Sequence, residues 1–125
     1  MRKSVENLNK RKPSGGRRNS YRARRKFEID RYPSEPIVGK EEIVCRRVRG
    51  NNIKVAVKRG EFTNVADQTK VSKVKIIRVI ENAANRDYAR RGVITKGAII
   101  ETELGKARVV SRPGQDGTIN SVLLK

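Results

Sequence analysis

The side chains of this 125-residue chain that are numerous enough and clustered enough to do chemistry are the guanidinium and ammonium groups of its Arg and Lys residues. Residues 1–31 contain twelve Lys and Arg but only three acids (Glu6, Glu28 and Asp30), so they carry +9 of the net charge of +18. A segment with so little apolar surface cannot offset its ordering entropy alone. Binding to a polyanion, with release of counterions, is the chemistry that this pattern favours.

The candidate nucleic-acid-binding residues form two groups. In the N-terminal segment, aromatics that could stack on bases or anchor the segment to the domain are interleaved with cations, giving the candidates Arg11, Lys12, Arg17, Arg18, Tyr21, Arg22, Arg24, Arg25, Lys26 and Phe27. The second group is placed by strand ends and loops of the following domain and consists of Arg46, Arg47, Arg49 and Arg112. On a strand, Arg47 and Arg49 would share a face. The pairs Lys58-Arg59 and Arg90-Arg91 are further clusters of the same type.

Catalysis is disfavoured by the residues that the sequence lacks. It has no His and a single Cys, Cys45, which excludes a structural zinc site, a disulfide framework and His-based acid–base catalysis within the chain. Asp116 has no general-base partner in its loop, and the Gly92–Gly97 spacing lacks the Lys of a phosphate-binding loop. We therefore predict no catalytic residue, metal, cofactor or small-molecule substrate, and interpret Cys45 as a small core or strand residue.

The sequence has neither an apolar segment of transmembrane length nor the apolar region of a signal peptide near Met1. We therefore expect an intracellular, soluble protein without a membrane partner. The pI near 11.0 and the +9 charge of the chain beyond residue 31 both favour a nucleic acid as the partner.

The elements that position the second group are predicted to be short strands separated by glycine turns. We predict a mainly β fold, namely a compact antiparallel β-barrel or sandwich (36–125) with one short helix, preceded by an extended basic N-terminal arm (1–35) that is disordered when free. The strands are predicted at 42–49, 53–59, 70–81, 93–95, 98–102, 106–110 and 119–124. The helix falls within 82–91, with Asn85 as its N-cap and Gly92 as its stop. A change of phase at Ile76-Ile77 indicates a bulge or a stretch covered on both faces, and 112–117 is predicted to be a tight loop.

Four stretches resemble the archaeal and eukaryotic type of small-subunit ribosomal protein known as S-eight-e. They are residues 11–17 (RKPSGGR), 24–29 (RRKFEI), 47–52 (RVRGNN) and 111–117 (SRPGQDG) with 120–124. The third departs from the usual Gly-Gly-Asn, but Asn51 is a good substitute where a turn needs positive φ. Asp30 replaces a common Gly. The resemblance covers nearly the whole chain, whose short length is similar to the archaeal form.

The resemblance implies a β-barrel-like domain with a basic extension, built into the small subunit by contacts with ribosomal RNA, and no catalysis. We therefore expect a cytoplasmic, structural ribosomal protein whose partners are small-subunit ribosomal RNA and neighbouring ribosomal proteins, and which supports subunit assembly and translation. The first alternative is a non-ribosomal RNA chaperone or RNA-processing accessory factor. A DNA-compacting chromatin protein also fits the charge, and an enzyme is the last of the alternatives.

Overall fold

A computed structural model describes residues 11–19, 22, 25, 27 and 32–124. The chain divides into two units, Met1–Pro33 and Ser34–Lys125. In the first unit, a turn forms where Pro13 and two glycines predict one. The Gly15 N–H donates to the Lys12 carbonyl at 2.9 Å, the Lys12 N–H donates to the Gly16 carbonyl at 3.0 Å, and Gly15 has a φ of 81°. The boundary at residue 35 and the disorder of the free arm stay predictions.

In the second unit, the described residues form eight β-strands and two short helices. In chain order these are β1 (Ile37–Val38), β2 (Glu42–Arg47), β3 (Ile53–Gly60), β4 (Phe62–Ala66), β5 (Val71–Glu81), α1 (Arg86–Arg91), β6 (Ile99–Thr102), β7 (Gly105–Val109), α2 (Pro113–Asp116) and β8 (Asn120–Leu123). The fold is mainly β, with 44% of the described residues in strands, so the predicted fold class is confirmed. No helix in the described ranges is long and apolar enough to cross a membrane.

A closed barrel is formed by β4 to β8, in that order. Neighbouring strands pair antiparallel except for β4 and β8, which close the barrel in parallel, with Val65 opposite Ser121. Beside this pair, the buried hydroxyls of Thr63 and Ser121 lie 3.0 Å apart, and Thr63 Oγ1 donates to the Ile119 carbonyl at 3.1 Å. Because a buried hydroxyl without a partner is costly, this network lets two polar residues sit at the closure.

The core combines aliphatic side chains from alternate positions of the barrel strands with others from β3 and from the connecting segments. It consists of Val57, Val65, Val74, Ile76, Ile94, Ala98, Ile100, Ala107, Val109 and Ile119. The bulge predicted at Ile76-Ile77 is confirmed, because the β5–β6 register shifts between Ile76 and Arg78. Ile76 is 2% exposed and the next inward side chain is that of Val79, three positions later, so the bulge changes which side chains of the strand face inward.

A three-stranded sheet in the order β1-β3-β2 lies outside the closed barrel. Its antiparallel β2–β3 hairpin places Cys45 opposite Val55. Cys45 is on a strand as predicted, but it is exposed and does not belong to the core. The predicted apolar face of β3 is buried only at its barrel end, since Val57 is 4% exposed and Ile53 is 65% exposed. The hairpin therefore extends from the core with its far end in solvent.

Helix α1 has both predicted boundary residues and occupies only the second part of the predicted 82–91 segment. The Asn85 Oδ1 accepts the Asp87 N–H at 2.9 Å, and Gly92 ends the helix with a φ of 67°. Asn82 is instead a buried connector. Its Nδ2 donates to the Val93 carbonyl at 2.9 Å, and its Oδ1 accepts from Thr95 Oγ1 at 2.9 Å. These bonds satisfy the buried amide without a helix.

Two further predictions about elements are wrong. No strand forms at 93–95, because the Ile94 N–H donates to the Pro36 carbonyl at 2.7 Å and Val93 makes only an isolated bridge with Ile37. The side chains of Val93 and Ile94 are 0% exposed, so this segment fills the core without adding a strand to the barrel. The predicted tight loop at 112–117 contains α2, a single helical turn, so the domain has two short helices and not one.

Candidate nucleic-acid interface

The far end of the β2–β3 hairpin holds three of the predicted site residues. Strand β2 ends in Arg46 and Arg47, and strand register places Arg46 opposite Lys54. Arg49 follows in a single 3₁₀ turn over Arg49–Asn51. We refer to Arg46, Arg47, Arg49 and Lys54 as the hairpin tip. Lys54 is the member that sequence reasoning missed, and pairing the two predicted strands around the turn at 50–52 would have placed it opposite Arg46.

The turn at the hairpin tip is held by backbone bonds and by residues with positive φ. The Val48 N–H donates to the Asn52 carbonyl at 2.8 Å, and the Asn52 amide donates to the Arg49 carbonyl at 3.2 Å. Gly50 and Asn51 have φ values of 73° and 61°, which confirms the conformation predicted for this pair. The prediction that Arg47 and Arg49 share a strand face is wrong, because the strand ends at Arg47 and Arg49 enters the turn.

The hairpin tip carries positive charge that no carboxylate of the described residues neutralises. The sequence has no Asp or Glu between Ile43 and Gly60. Within the part of the chain that the structure describes, no ion pair involves a hairpin-tip residue. Among the described residues, the one hydrogen bond made by a hairpin-tip side chain runs from Arg47 Nη2 to the neutral Asn51 Oδ1 at 3.5 Å. These cations are therefore available to a phosphate.

At the base of the same hairpin, cations are paired with a carboxylate. Lys58 Nζ lies 2.6 Å from Glu42 Oε1, and Arg59 Nε lies 3.9 Å from Glu42 Oε2. The hydrogen bond from Lys58, supported by the charges of Lys58 and Arg59, lowers the pKa of the Glu42 carboxyl below its ordinary value. Glu42 therefore stays ionised at neutral pH and offsets one of the two positive charges.

The Arg90-Arg91 cluster is also compensated. Arg90 Nη2 lies 2.7 Å from Asp87 Oδ1 within α1. Arg91 pairs with Glu35 and lies 3.8 Å from a second oxygen of Asp87, with its guanidinium 5.6 Å from the Tyr88 ring centre. Two carboxylates thus match two guanidiniums, so this cluster offers less charge to a polyanion than its sequence indicates.

Arg112 reaches the hairpin region through the packing of α2. It precedes the helix, and its backbone N–H donates to Asp116 Oδ2 at 2.8 Å, which fixes the start of the turn. Pro113 is buried, and Gly117 packs so closely on Val55 that a Cβ there would lie 2.7 Å from Val55 Cγ1. Val55 adjoins Lys54 on β3, so α2 sits on the strand that carries the hairpin tip. The Arg112 side chain is exposed.

The arm candidates lie in the other unit. Arg11, Lys12, Arg17 and Arg18 are exposed around the Pro13 turn, where Arg11 Nη1 donates to the Gly15 carbonyl at 3.1 Å. Arg22 is half-buried, whereas Arg25 and Phe27 are exposed. Tyr21, Arg24 and Lys26 lie outside the described residues. Base stacking and phosphate binding by the arm stay predictions.

Comparison with known proteins identifies the family. The family model described as ribosomal protein S8e matches residues 5–124. The chain belongs to this family. Similar S8e proteins, each named small ribosomal subunit protein eS8, occur in archaea. The one from Methanocorpusculum labreanum is 55% identical, covering 92% of this chain and 94% of its own length. The Sulfurisphaera tokodaii protein is 54% identical over 92% of each chain, and the Nanoarchaeum equitans protein is 51% identical over 83% of this chain and 84% of its own.

These S8e relatives confirm the resemblance predicted from the four short stretches, including its reach along nearly the whole chain. Because the archaeal proteins are covered over 84–94% of their length, the chain has the size of the archaeal form. The structure also explains why the 111–117 stretch contains two glycines. Gly114 lies against Ser34, where a Cβ would meet the Ser34 carbonyl oxygen at 3.2 Å, and Gly117 has a φ of 74°. Its glycines hold α2 against the domain.

Proposed function

We propose that the protein is a structural constituent of the small ribosomal subunit that binds ribosomal RNA and supports subunit assembly and translation. The observation that carries this proposal is membership of the S8e family over residues 5–124. The archaeal relatives that match over most of their length are named as small ribosomal subunit proteins. The proposed partners are small-subunit ribosomal RNA and neighbouring ribosomal proteins, and the proposed location is the ribosome in the cytoplasm. The role is structural and not enzymatic.

Two basic regions are proposed to make the RNA contacts. The hairpin tip presents cations that have no carboxylate partner among the described residues, and Arg112 adds an exposed guanidinium beside α2. Guanidiniums in such a position bind phosphate oxygens in a charge-assisted way. The arm, residues 1–35, adds the remaining candidates and is proposed to order on RNA while neutralising phosphates from separate helices. Bringing those helices together against their mutual repulsion would be its contribution to assembly.

The alternative, a non-ribosomal RNA chaperone or processing factor, shares the charge and the barrel but is not favoured by the family assignment. The two functions differ in stoichiometry. A structural protein is present at one copy per subunit and is retained at salt that releases a transient factor, because its affinity is high enough to survive the weakening of each phosphate contact. A transient factor is substoichiometric and dissociates at modest salt.

The test is sedimentation of a gentle native lysate through a sucrose gradient, with the protein quantified in each fraction before and after a high-salt wash. We expect one copy per small subunit, retained through the wash. In cells that express only Arg24→Ala with Arg25→Ala, we expect the salt concentration that releases the protein to fall. Wild-type protein at the top of the gradient would overturn the ribosomal role. An unchanged release point in the double variant would overturn only the proposed role of the arm.

A further inference from the structure

The outer surface of the neighbouring strands β5, β4, β8 and β7 carries cations, two amides and an aromatic ring, in rows set by strand register. Residues directly opposite each other share a face of the sheet. The residues between them along each strand, such as Thr63, Val65 and Val74, point the other way and are buried in the barrel. The outer rows are Lys75 opposite Phe62, then Lys73 opposite Asn64 opposite Asn120, then Val71 opposite Ala66 opposite Val122 opposite Arg108. We refer to these residues as the outer face, and it contains no Asp or Glu.

Phe62 is the one aromatic residue of the outer face, and its side chain is not used by the core. It is 40% exposed, and Lys73 Nζ lies 5.1 Å from the centre of its ring. Exposed rings on sheet surfaces are where proteins stack unpaired bases, and Lys73, which lies over this ring, can move off its face to hold the phosphate of a stacked base. Strand β4 was not predicted as a strand, so this ring was missed as a candidate.

Next to the ring, two amides offer hydrogen-bonding groups. Asn64 Nδ2 donates to Asn120 Oδ1 at 2.9 Å, which fixes the two side chains side by side across the β4–β8 pair. Asn64 Oδ1 and Asn120 Nδ2 have no partner among the described residues. One free acceptor beside one free donor is the complement that the edge of a nucleobase requires.

The charges around Phe62 separate a position for a base from a position for phosphate. Phe62, Asn64 and Lys73 line a groove of about 110 Å³, whose lining also includes Glu41, Glu61 and Arg59. Its two carboxylates balance its two cations, so the groove suits a neutral base better than a phosphate. On the open surface, Lys75 is paired with Glu61 at 3.1 Å, but Lys73 and Arg108 have no carboxylate partner in the described part of the chain.

We propose that the outer face binds an unpaired RNA nucleotide, with its base stacked on Phe62 and its edge toward Asn64 and Asn120. Lys73 binds the phosphate next to that base, and Arg108, two strands and two rows away from Phe62, binds a phosphate further along the RNA. This inference rests on the proposed function, since ribosomal RNA is the polyanion that would supply the nucleotide. It adds a third contact region, on the barrel itself, that recognises a base rather than only the phosphate backbone.

The test compares full-length wild type with Phe62→Leu, Phe62→Tyr and Leu104→Ala, after thermal unfolding has shown that all are folded. Leu104 is the control because it is an exposed apolar side chain in the β6–β7 turn, outside the outer face. Binding is measured by anisotropy to an unstructured 12-nucleotide RNA and to an abasic strand of equal length. We expect Phe62→Leu to weaken binding to the RNA about tenfold and to the abasic strand not at all. Phe62→Tyr and Leu104→Ala should bind as wild type does.

Equal binding by wild type and Phe62→Leu, or equal loss on both strands, would overturn the stacking site. In the assembled subunit, ultraviolet crosslinking followed by mass spectrometry should give a nucleotide adduct on Phe62. Burial of Phe62 against a neighbouring protein, seen as a peptide crosslink in its place, would also overturn it. If wild-type protein sediments with small subunits while Phe62→Leu behaves identically in every assay, only this inference fails. If wild-type protein is absent from subunits, the proposed function fails first.

Discussion

The cations at the two ends of the β2–β3 hairpin differ in what neutralises them. At the base, Glu42 lies within 4 Å of both Lys58 and Arg59, as Asp87 and Glu35 do for the arginines of α1. At the tip, no described carboxylate lies within ion-pair distance of any of the four cations. Exposed pairs contribute little to stability, so their main effect is on availability to RNA. Sequence clusters that look alike therefore differ in their capacity to bind phosphate.

The largest effect we predict concerns the glycines that hold these two regions in place. Gly117 keeps α2, and with it Arg112, against the hairpin, whereas Gly92 ends α1 beside the compensated Arg90 and Arg91. Both have positive φ, but a Cβ at Gly117 would overlap Val55, and one at Gly92 would meet nothing within 4 Å. We expect Gly117→Ala to lower the free energy of unfolding by about 3 kcal/mol, from strain plus overlap. Gly92→Ala should cost about 1 kcal/mol, from strain alone.

Thermal unfolding monitored by circular dichroism measures this difference. For a domain of this size, the two variants should lose roughly 15 °C and 5 °C in Tm, respectively. Gly92→Ala serves as the matched control, because it introduces the same methyl group at a similar φ without a contact. Equal losses in the two variants would mean that the packing of α2 on Val55 contributes nothing, and the explanation given for the 111–117 stretch would be wrong.

A smaller effect is expected when one cation is neutralised in each region. Arg49→Gln removes an unpaired guanidinium from the hairpin tip, and Arg90→Gln removes one that Asp87 already neutralises. We expect Arg49→Gln to weaken binding to a small-subunit RNA fragment about fivefold near 0.1 M salt. The slope of log K against log salt should fall by about 0.7 to 0.9, the value for one phosphate contact. Arg90→Gln should change neither quantity measurably.

Equilibrium binding at four or more salt concentrations gives both slopes. Since the two substitutions change net charge identically, a general electrostatic effect would lower both slopes alike. That result would contradict the distinction between tip and compensated clusters. It would indicate that the charge of the whole domain, and not the position of its carboxylates, determines RNA affinity.

Sequence reasoning succeeded where a signal is local and failed where it depends on pairing between distant segments. The β-branched alternation, the phase change at Ile76-Ile77 and the Asn85 cap each depend on near neighbours, and all three predicted features are present. The 93–95 segment has the same β-branched composition, but its backbone bonds to the distant Pro36 and it forms no strand. The interface divides in the same way. The cations of the tip could be named from the chain, whereas Lys54, Phe62 and the pairing of Lys58 with Glu42 depend on strand register.

The smallest effect we predict concerns Glu42, which can be neutralised to make the base of the hairpin resemble its tip. Glu42→Gln leaves Lys58 and Arg59 without a carboxylate, so RNA affinity should rise slightly and the salt slope should steepen by less than one unit.

Lowering the pH should break the same pair in the wild-type protein. Because the pKa of Glu42 is lowered by the hydrogen bond from Lys58, the pair is fully formed above the ordinary pKa of glutamate and is lost as pH falls through the lower pKa of the folded state. Carboxyl NMR titration should show this depressed pKa in wild type and its return toward the ordinary value in Lys58→Gln. A pKa that does not move in Lys58→Gln would show that the pair is not formed in solution, and the two ends of the hairpin would then be equally available to RNA.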